Sequence, residues 1–137
     1  AGRYRANVKE IEKPWGDAFT KEELEAALIE HKPTILAMVH AETSTGVRTD
    51  VEELGANKGD ALLLIDCVTS LGGLPMDLDA WGVDAAYSGT QKCLGVAPGL
   101  SPLTLSDTAR ERIKPVPQSW YLDLNMIAAY VGSDGGA

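Results

Sequence analysis

The chain has 137 residues with 45% apolar and 23% charged side chains, a balance that suits one soluble globular domain with an ordinary core. Its net charge of −8 leaves no basic surplus to neutralise phosphates, which argues against nucleic acid or an anionic membrane as the main partner. No apolar run is long enough to span a bilayer, and Cys67 and Cys93 do not make a disulfide framework or a zinc site, so a reducing intracellular setting is expected.

Residues 4–12 alternate loosely through Val8 and Ile11 and predict a strand, punctuated by Pro14, Gly16 and Asp17. Thr20-Lys21-Glu22-Glu23 has the capping-box pattern, with Glu23 placed to reach back to the Thr20 amide, so a helix opens there. Leu24, Ala27, Leu28 and His31 recur at helical spacing and are expected to face inward; Lys32-Pro33 ends the helix. Residues 34–39 are an apolar run without polar alternation, as in a parallel strand buried on both faces. After a polar loop at 40–46, Asp50 is placed to cap a helix running to about Asn57, with Gly59 closing it.

Residues 61–65 predict a second buried strand, which ends abruptly on Asp66. Gly72-Gly73 breaks the chain, residues 78–81 predict a short helix, and 83–87 a third strand. The polar turn Ser88-Gly89-Thr90-Gln91-Lys92 follows that strand directly. A fourth strand is expected at 100–105, then a short helix to Ile113 capped by Ser106 or Asp107, an extended linker set by Pro115 and Pro117, and a last helix at 122–131. Strands alternating with helical segments predict an α/β fold: a largely parallel sheet with flanking helices. Ligands of such sheets gather beyond the carboxyl ends of the strands. Three polar clusters fall there, around Thr43, Asp66 and Lys92.

Asp66 would put a carboxylate at the rim of a buried sheet. It can be a loop or helix-capping aspartate. It can hold a metal in a nucleotide-binding fold, but the chain has no G-x-x-x-x-G-K-[ST] loop. It can also face a cationic heteroaromatic nitrogen, because a buried charge needs a partner. A lone lysine is ordinarily solvated. Lys92, however, follows a tight hydroxyl-bearing turn and precedes the small, apolar Cys93-Leu94-Gly95. Apolar surroundings lower a lysine pKa, and Schiff-base chemistry needs the neutral amine. The pair matches what pyridoxal phosphate requires: a lysine on its aldehyde carbon and an acidic group on its ring nitrogen. Cys67 and Cys93 are read as small space-fillers, and His40 as a hydrogen-bonded structural residue at a strand end.

These residues also carry a family resemblance. The stretches 64–73 (LIDCVTSLGG), 79–84 (DAWGVD) and 87–92 (YSGTQK), with Pro98-Gly99, resemble the class V aminotransferases, in particular the alanine–glyoxylate and serine–pyruvate group. So do 40–47 (HAETSTGV) and 119–123 (SWYLD), and the resemblance covers nearly the whole chain. It implies that residues 1–137 are part of the large domain of an aspartate aminotransferase-like, pyridoxal-phosphate-dependent transferase, a fragment truncated at both ends. It implies transamination between alanine or serine and glyoxylate or pyruvate, with Lys92 forming the internal aldimine and moving the α-proton. Asp66 would pair with the pyridinium nitrogen, Val68 would pack on the ring, Thr43 would lie near the ring hydroxyl and Gln91 near the phosphate. A homodimer is implied, in the cytoplasm or, in a eukaryote, the peroxisome or mitochondrion. The phosphate-binding loop, the stacking aromatic and the arginine for the substrate carboxylate would lie outside these residues, leaving the fragment inactive alone. A phosphoserine aminotransferase or cysteine desulfurase type of enzyme, or a non-catalytic α/β module that keeps the motif, are the alternatives.

Overall fold

Four strands lie side by side in chain order: β1 (Ile35–Val39), β2 (Leu62–Asp66), β3 (Ala85–Tyr87) and β4 (Leu103–Leu105). The structure is a computed structural model and describes residues 6–131. β1, β2 and β3 run parallel, and β4 closes the edge antiparallel. The expected, largely parallel α/β sheet is thus present. Its register sets Val39 beside Asp66, Asp66 beside Tyr87 and Tyr87 beside Leu103. The loops leaving the three parallel strands therefore start in one row.

Side chains alternate across the sheet, and its two faces have different fates. Leu63, Ile65 and Ala86 point to the core, with Leu36 and Met38 packed against it from β1. There they meet Leu24 and Leu28 of helix α1 (Lys21–His31), and Val51 and Leu54 from the loop before β2. Leu63 and Ile65 are wholly buried, which stabilises the fold by about 2 kcal/mol each. On the opposite face Ile35, Val39, Tyr87 and Leu103 stay exposed. The expectation of a first strand buried on both faces is not met: among the described residues β1 packs one face on the core and leaves Ile35 and Val39 exposed on the other.

The α1 capping box forms as expected. The Glu23 amide donates to Thr20 Oγ1 at 3.3 Å and the Thr20 amide to Glu23 Oε2 at 2.8 Å, satisfying two donors that the first turn leaves free. Lys32 ends the helix in the left-handed conformation, its amide returning to the Leu28 carbonyl at 3.0 Å. His31 is exposed rather than inward-facing.

The helix expected from Asp50 to Asn57 shrinks to one 3-10 turn, Leu54–Asn57. Asp50 does not cap it; its carboxylate takes the Arg48 guanidinium instead. The cause is tertiary. Gly55 lies flat on the backbone of Trp81 and Gly82, where a Cβ would come within 2.0 Å of the Trp81 carbonyl oxygen. The helix expected at 78–81 is a single hydrogen-bonded turn, Trp81 amide to Asp77 carbonyl at 3.0 Å, stopped by Gly82 at φ +65°. α2 (Asp107–Glu111) is capped by Ser106, whose hydroxyl accepts from the Ala109 amide at 3.0 Å, and it ends before Ile113. α3 (Leu124–Val131) follows the prolines, with Asp123 accepting from the Asn125 amide at 2.9 Å. The strand expected at 4–12 is not formed by residues 6–12; its first two residues lie outside the described residues. No helix of the described residues is long and apolar enough to cross a membrane.

One buried charge ties the sheet at the strands' amino ends. Asp84, 4% exposed, pairs with the Lys58 ammonium, accepts the Leu63 amide at 2.8 Å and takes the Ser106 hydroxyl at 3.0 Å. Burial pushes its carboxyl up, but Lys58, the Leu63 amide and Ser106 outweigh that and hold it below the usual range.

Candidate active site at the strand ends

Asp66 is the last residue of β2, half-buried where the sheet opens to solvent. Each carboxylate oxygen has a donor: the Val68 amide reaches Oδ1 at 2.9 Å and the Tyr87 hydroxyl reaches Oδ2 at 2.6 Å. Neither contact closes the carboxylate off, since each oxygen keeps a second acceptor site. Donation to Asp66, with burial and the carboxylate's charge adding to it, pushes the Tyr87 phenol up to about 12.

Three loops interlock beside this carboxylate. After β1, residues 41–48 double back as a tight hairpin, with Ala41 bridging Arg48 and the Glu42 and Val47 backbones bonded at 2.8 Å, which holds Thr43 near its tip. The Thr43 hydroxyl touches that of Thr69, in the loop after β2. The Thr69 carbonyl in turn accepts from Cys93 Sγ at 2.9 Å, in the loop after β3. Ser44's hydroxyl and amide hold the Glu42 carboxyl low, and the charge of Lys92 adds to this, so the first and third loops also feel each other electrostatically. The sites read from sequence as separate clusters, Thr43, Asp66 and Lys92, thus belong to adjoining loops.

Lys92 itself is exposed, as are Gln91 and Cys93. The apolar setting expected for Lys92 is not built by these residues, because the turn that carries it, closed by the Gly95 amide on the Lys92 carbonyl at 2.9 Å, runs over the surface. The base of that turn is firm: Ser88, Gly89 and Thr90 are buried, and the Thr90 hydroxyl donates to the Ala97 carbonyl at 2.6 Å. Gln91 folds its amide back over Gly89, where a Cβ would meet Oε1 at 2.5 Å. Val68 is half-buried, its amide on Asp66 and its side chain part-open.

His40 and Cys67 are structural here. His40 is wholly buried, Nδ1 lies 2.9 Å from Ser70 Oγ, and its ring meets Trp81 edge-on with centroids 5.8 Å apart. Burial pushes its imidazole below the usual histidine range. Cys67 is buried with Sγ 3.0 Å from the Tyr87 carbonyl, and burial together with the charge of Asp66 pushes its thiol up, away from nucleophilic character. The Cys93 sulfur packs over Gly73, where a Cβ would meet it at 2.6 Å. No group of three or more His, Cys, Asp or Glu among the described residues is placed to hold a metal ion.

Residues 1–120 match the family aminotransferase class-V. The chain belongs to that family. Alanine–glyoxylate aminotransferase of Callithrix jacchus is 41% identical over 138 residues, covering 97% of this chain and 33% of the relative. The crystal structure of alanine–glyoxylate aminotransferase from Nostoc sp. superposes with a TM-score of 0.92 at 52% identity, over 99% of this chain and 37% of that one. Ureidoglycine–glyoxylate aminotransferase from Bacillus subtilis gives a TM-score of 0.88 at 38% identity, over 97% and 36%. This class V chain therefore spans about a third of the length of the relatives it matches, and it is homologous to transaminases of a pyridoxal-phosphate-dependent family.

Tyr87, Thr69 and Glu42 join the site without having been singled out in the sequence. Tyr87 ends a strand and Thr69 sits in a loop, each an ordinary residue for its place. Only the pairing of Asp66 with Tyr87 and the meeting of the loops give them a role.

Proposed function

We propose that the intact protein is a pyridoxal-phosphate-dependent transaminase that moves an amino group between a small amino acid, alanine or serine, and glyoxylate or pyruvate. The observation that carries this reading is Asp66, an accessible carboxylate at the carboxyl end of a parallel strand, fixed by two donors and followed on the next strand's loop by Lys92. The donor set fits the cofactor: a carboxylate for a ring nitrogen, a primary amine for an aldehyde, and the paired hydroxyls of Thr43 and Thr69 for ring oxygen. When bound, pyridoxal phosphate supplies an electron sink for charge developing on the substrate's α-carbon.

The chain's own residues divide the remaining work. Asp66 keeps a proton on the ring nitrogen. Lys92, on an exposed turn with a buried base, would hold the cofactor through its amine and, when that amine is free, would take the α-proton as general base. Val68 offers the ring an apolar surface, Thr43 a hydroxyl and Gln91 an amide toward the phosphate. The glyoxylate assignment is supported by the relatives, whose names include glyoxylate in each of the three comparisons above and alanine in two of them; serine and pyruvate rest on the sequence resemblance alone. A desulfurase would need a reactive cysteine on a mobile loop, and neither buried Cys67 nor Cys93, whose sulfur is bonded to the Thr69 carbonyl and packed over Gly73, fits that place. A homodimer in a reducing compartment completes the reading.

The test uses the full-length protein with added pyridoxal phosphate. Wild type should develop the absorption of a covalently held cofactor, and Lys92→Ala should lose it; a covalent cofactor in Lys92→Ala refutes the assignment. Asp66→Asn should bind cofactor more weakly and slow α-proton removal by about a hundredfold or more; near-normal turnover removes Asp66 from the mechanism. A wild type that takes up no cofactor would leave the module reading standing. Alanine and serine assayed against glyoxylate and pyruvate then identify the pair.

A further inference from the structure

We propose that Tyr87 is a positioning residue for Asp66, its hydroxyl holding the carboxylate in plane so that the proton shared with the cofactor's ring nitrogen stays on nitrogen. The inference rests on the cofactor reading above and deepens it by one residue.

The geometry comes from the sheet. Asp66 and Tyr87 are register partners across the parallel β2–β3 pair, so their side chains leave the same face side by side. A slip of one residue would send Tyr87 into the core and put Ala86 beside Asp66. In the register observed, the phenol donates to Asp66 Oδ2 at 2.6 Å. Among the described residues it is the one side-chain donor on that carboxylate; the other donor is the Val68 backbone. The tyrosine remains 39% exposed.

The chemistry follows from competition for one proton. A carboxylate facing a pyridine nitrogen can leave the proton on nitrogen or draw it toward oxygen. Each hydrogen bond donated to the carboxylate stabilises its ionised form and lowers its proton affinity. Two donors, one on each oxygen, also fix the plane of the group. Without Tyr87, Oδ2 loses a charge-assisted bond and the carboxylate is freer to turn out of line with the ring nitrogen. The ring would then carry less positive charge, and the α-carbon's electrons would have a poorer sink. Because the phenol titrates only near 12, the donor persists across the neutral range.

The experiment reads the ring nitrogen directly. Full-length protein is loaded with pyridoxal phosphate labelled with nitrogen-15 in the ring, and the nitrogen resonance is recorded for wild type, Tyr87→Phe and Asp66→Asn. Wild type should show a protonated nitrogen, Asp66→Asn an unprotonated one, and Tyr87→Phe a resonance moved toward the unprotonated value. Turnover of Tyr87→Phe should fall about tenfold with KM nearly unchanged. A purely structural tyrosine would lower the melting temperature and leave the resonance in place; that result, with wild type protonated and Asp66→Asn shifted, overturns this inference and spares the cofactor reading. A wild-type resonance that Asp66→Asn does not move defeats both. If the Phe variant fails to fold, 3-fluorotyrosine at position 87 keeps the shape and strengthens the donor. Its shift should run opposite to that of Phe, and no shift overturns the proposal equally.

Discussion

At the strand ends, neighbouring polar residues have been given different work by their surroundings. Asp66 has solvent on one side and donors on both oxygens, so it can serve a cationic ligand. His40, one strand over and bonded through its amide to the Asp66 carbonyl at 2.9 Å, is sealed away with its Nε2 unpartnered among the described residues. Protonating it would bury a charge, and although Glu52 and Asp50 favour that charge while Arg48 opposes it, burial dominates. Its folded pKa lies below the ordinary 6.5, so its contribution to stability is full above that pH and is lost as pH falls through the lower folded value. Urea unfolding should therefore show a lower midpoint at pH 5 than at pH 7. In His40→Asn that difference should shrink; an unchanged pH slope would mean that other groups set it. Asp66 was legible in sequence as the residue that ends an apolar strand, whereas Lys92 stood out through the family resemblance, and the apolar setting read for it locally is not built. Tyr87 was not legible, because nothing local to it says which residue the next strand will place alongside.

Among the elements, α1 is the one that local rules describe almost completely. Its capping box, its inward stripe of Leu24, Ala27 and Leu28, and its stop at Lys32-Pro33 are all short-range features. The 50–57 segment had similar signals, an aspartate at the start and a glycine at the end, and became a single 3-10 turn. Backbone contact decided it. With Gly55 seated on the Trp81 carbonyl and Gly82, the segment is held as a wedge between α1 and the turn before β3. Gly55→Ala should force that backbone apart and cost about 2–3 kcal/mol, read as a drop in the urea midpoint. A loss near zero would mean that the wedge can move aside freely. Gly46, at positive φ with open space around it, shows the contrast: there glycine serves the turn and not a contact.

For the molecule as a whole, the two ends of the parallel strands are built differently. At the amino ends Asp84 joins β2 through the Leu63 amide, α2 through Ser106 and the loop before β2 through Lys58. Its depressed pKa adds stability above the ordinary 3.8 that is lost as pH falls through the lower folded value. Asp84→Asn should cost about 3 kcal/mol at pH 7, since it leaves Lys58 without its counter-charge. The gap from wild type should narrow as the pH approaches 3; a gap that stays constant would remove Asp84 from the acid response. At the carboxyl ends the loops are instead loosely buried and rich in hydroxyls, as a binding surface requires. The sequence by itself determined the α/β pattern and the place where each parallel strand stops, because strand period, turn residues and caps act over a few residues. Only the tertiary structure decided which residues became neighbours: Tyr87 on Asp66, Thr43 on Thr69, Asp84 between Lys58 and Ser106, and Gly55 against Trp81. Those contacts depend on register and on close approach of distant backbone, and neither is encoded in any local run of residues.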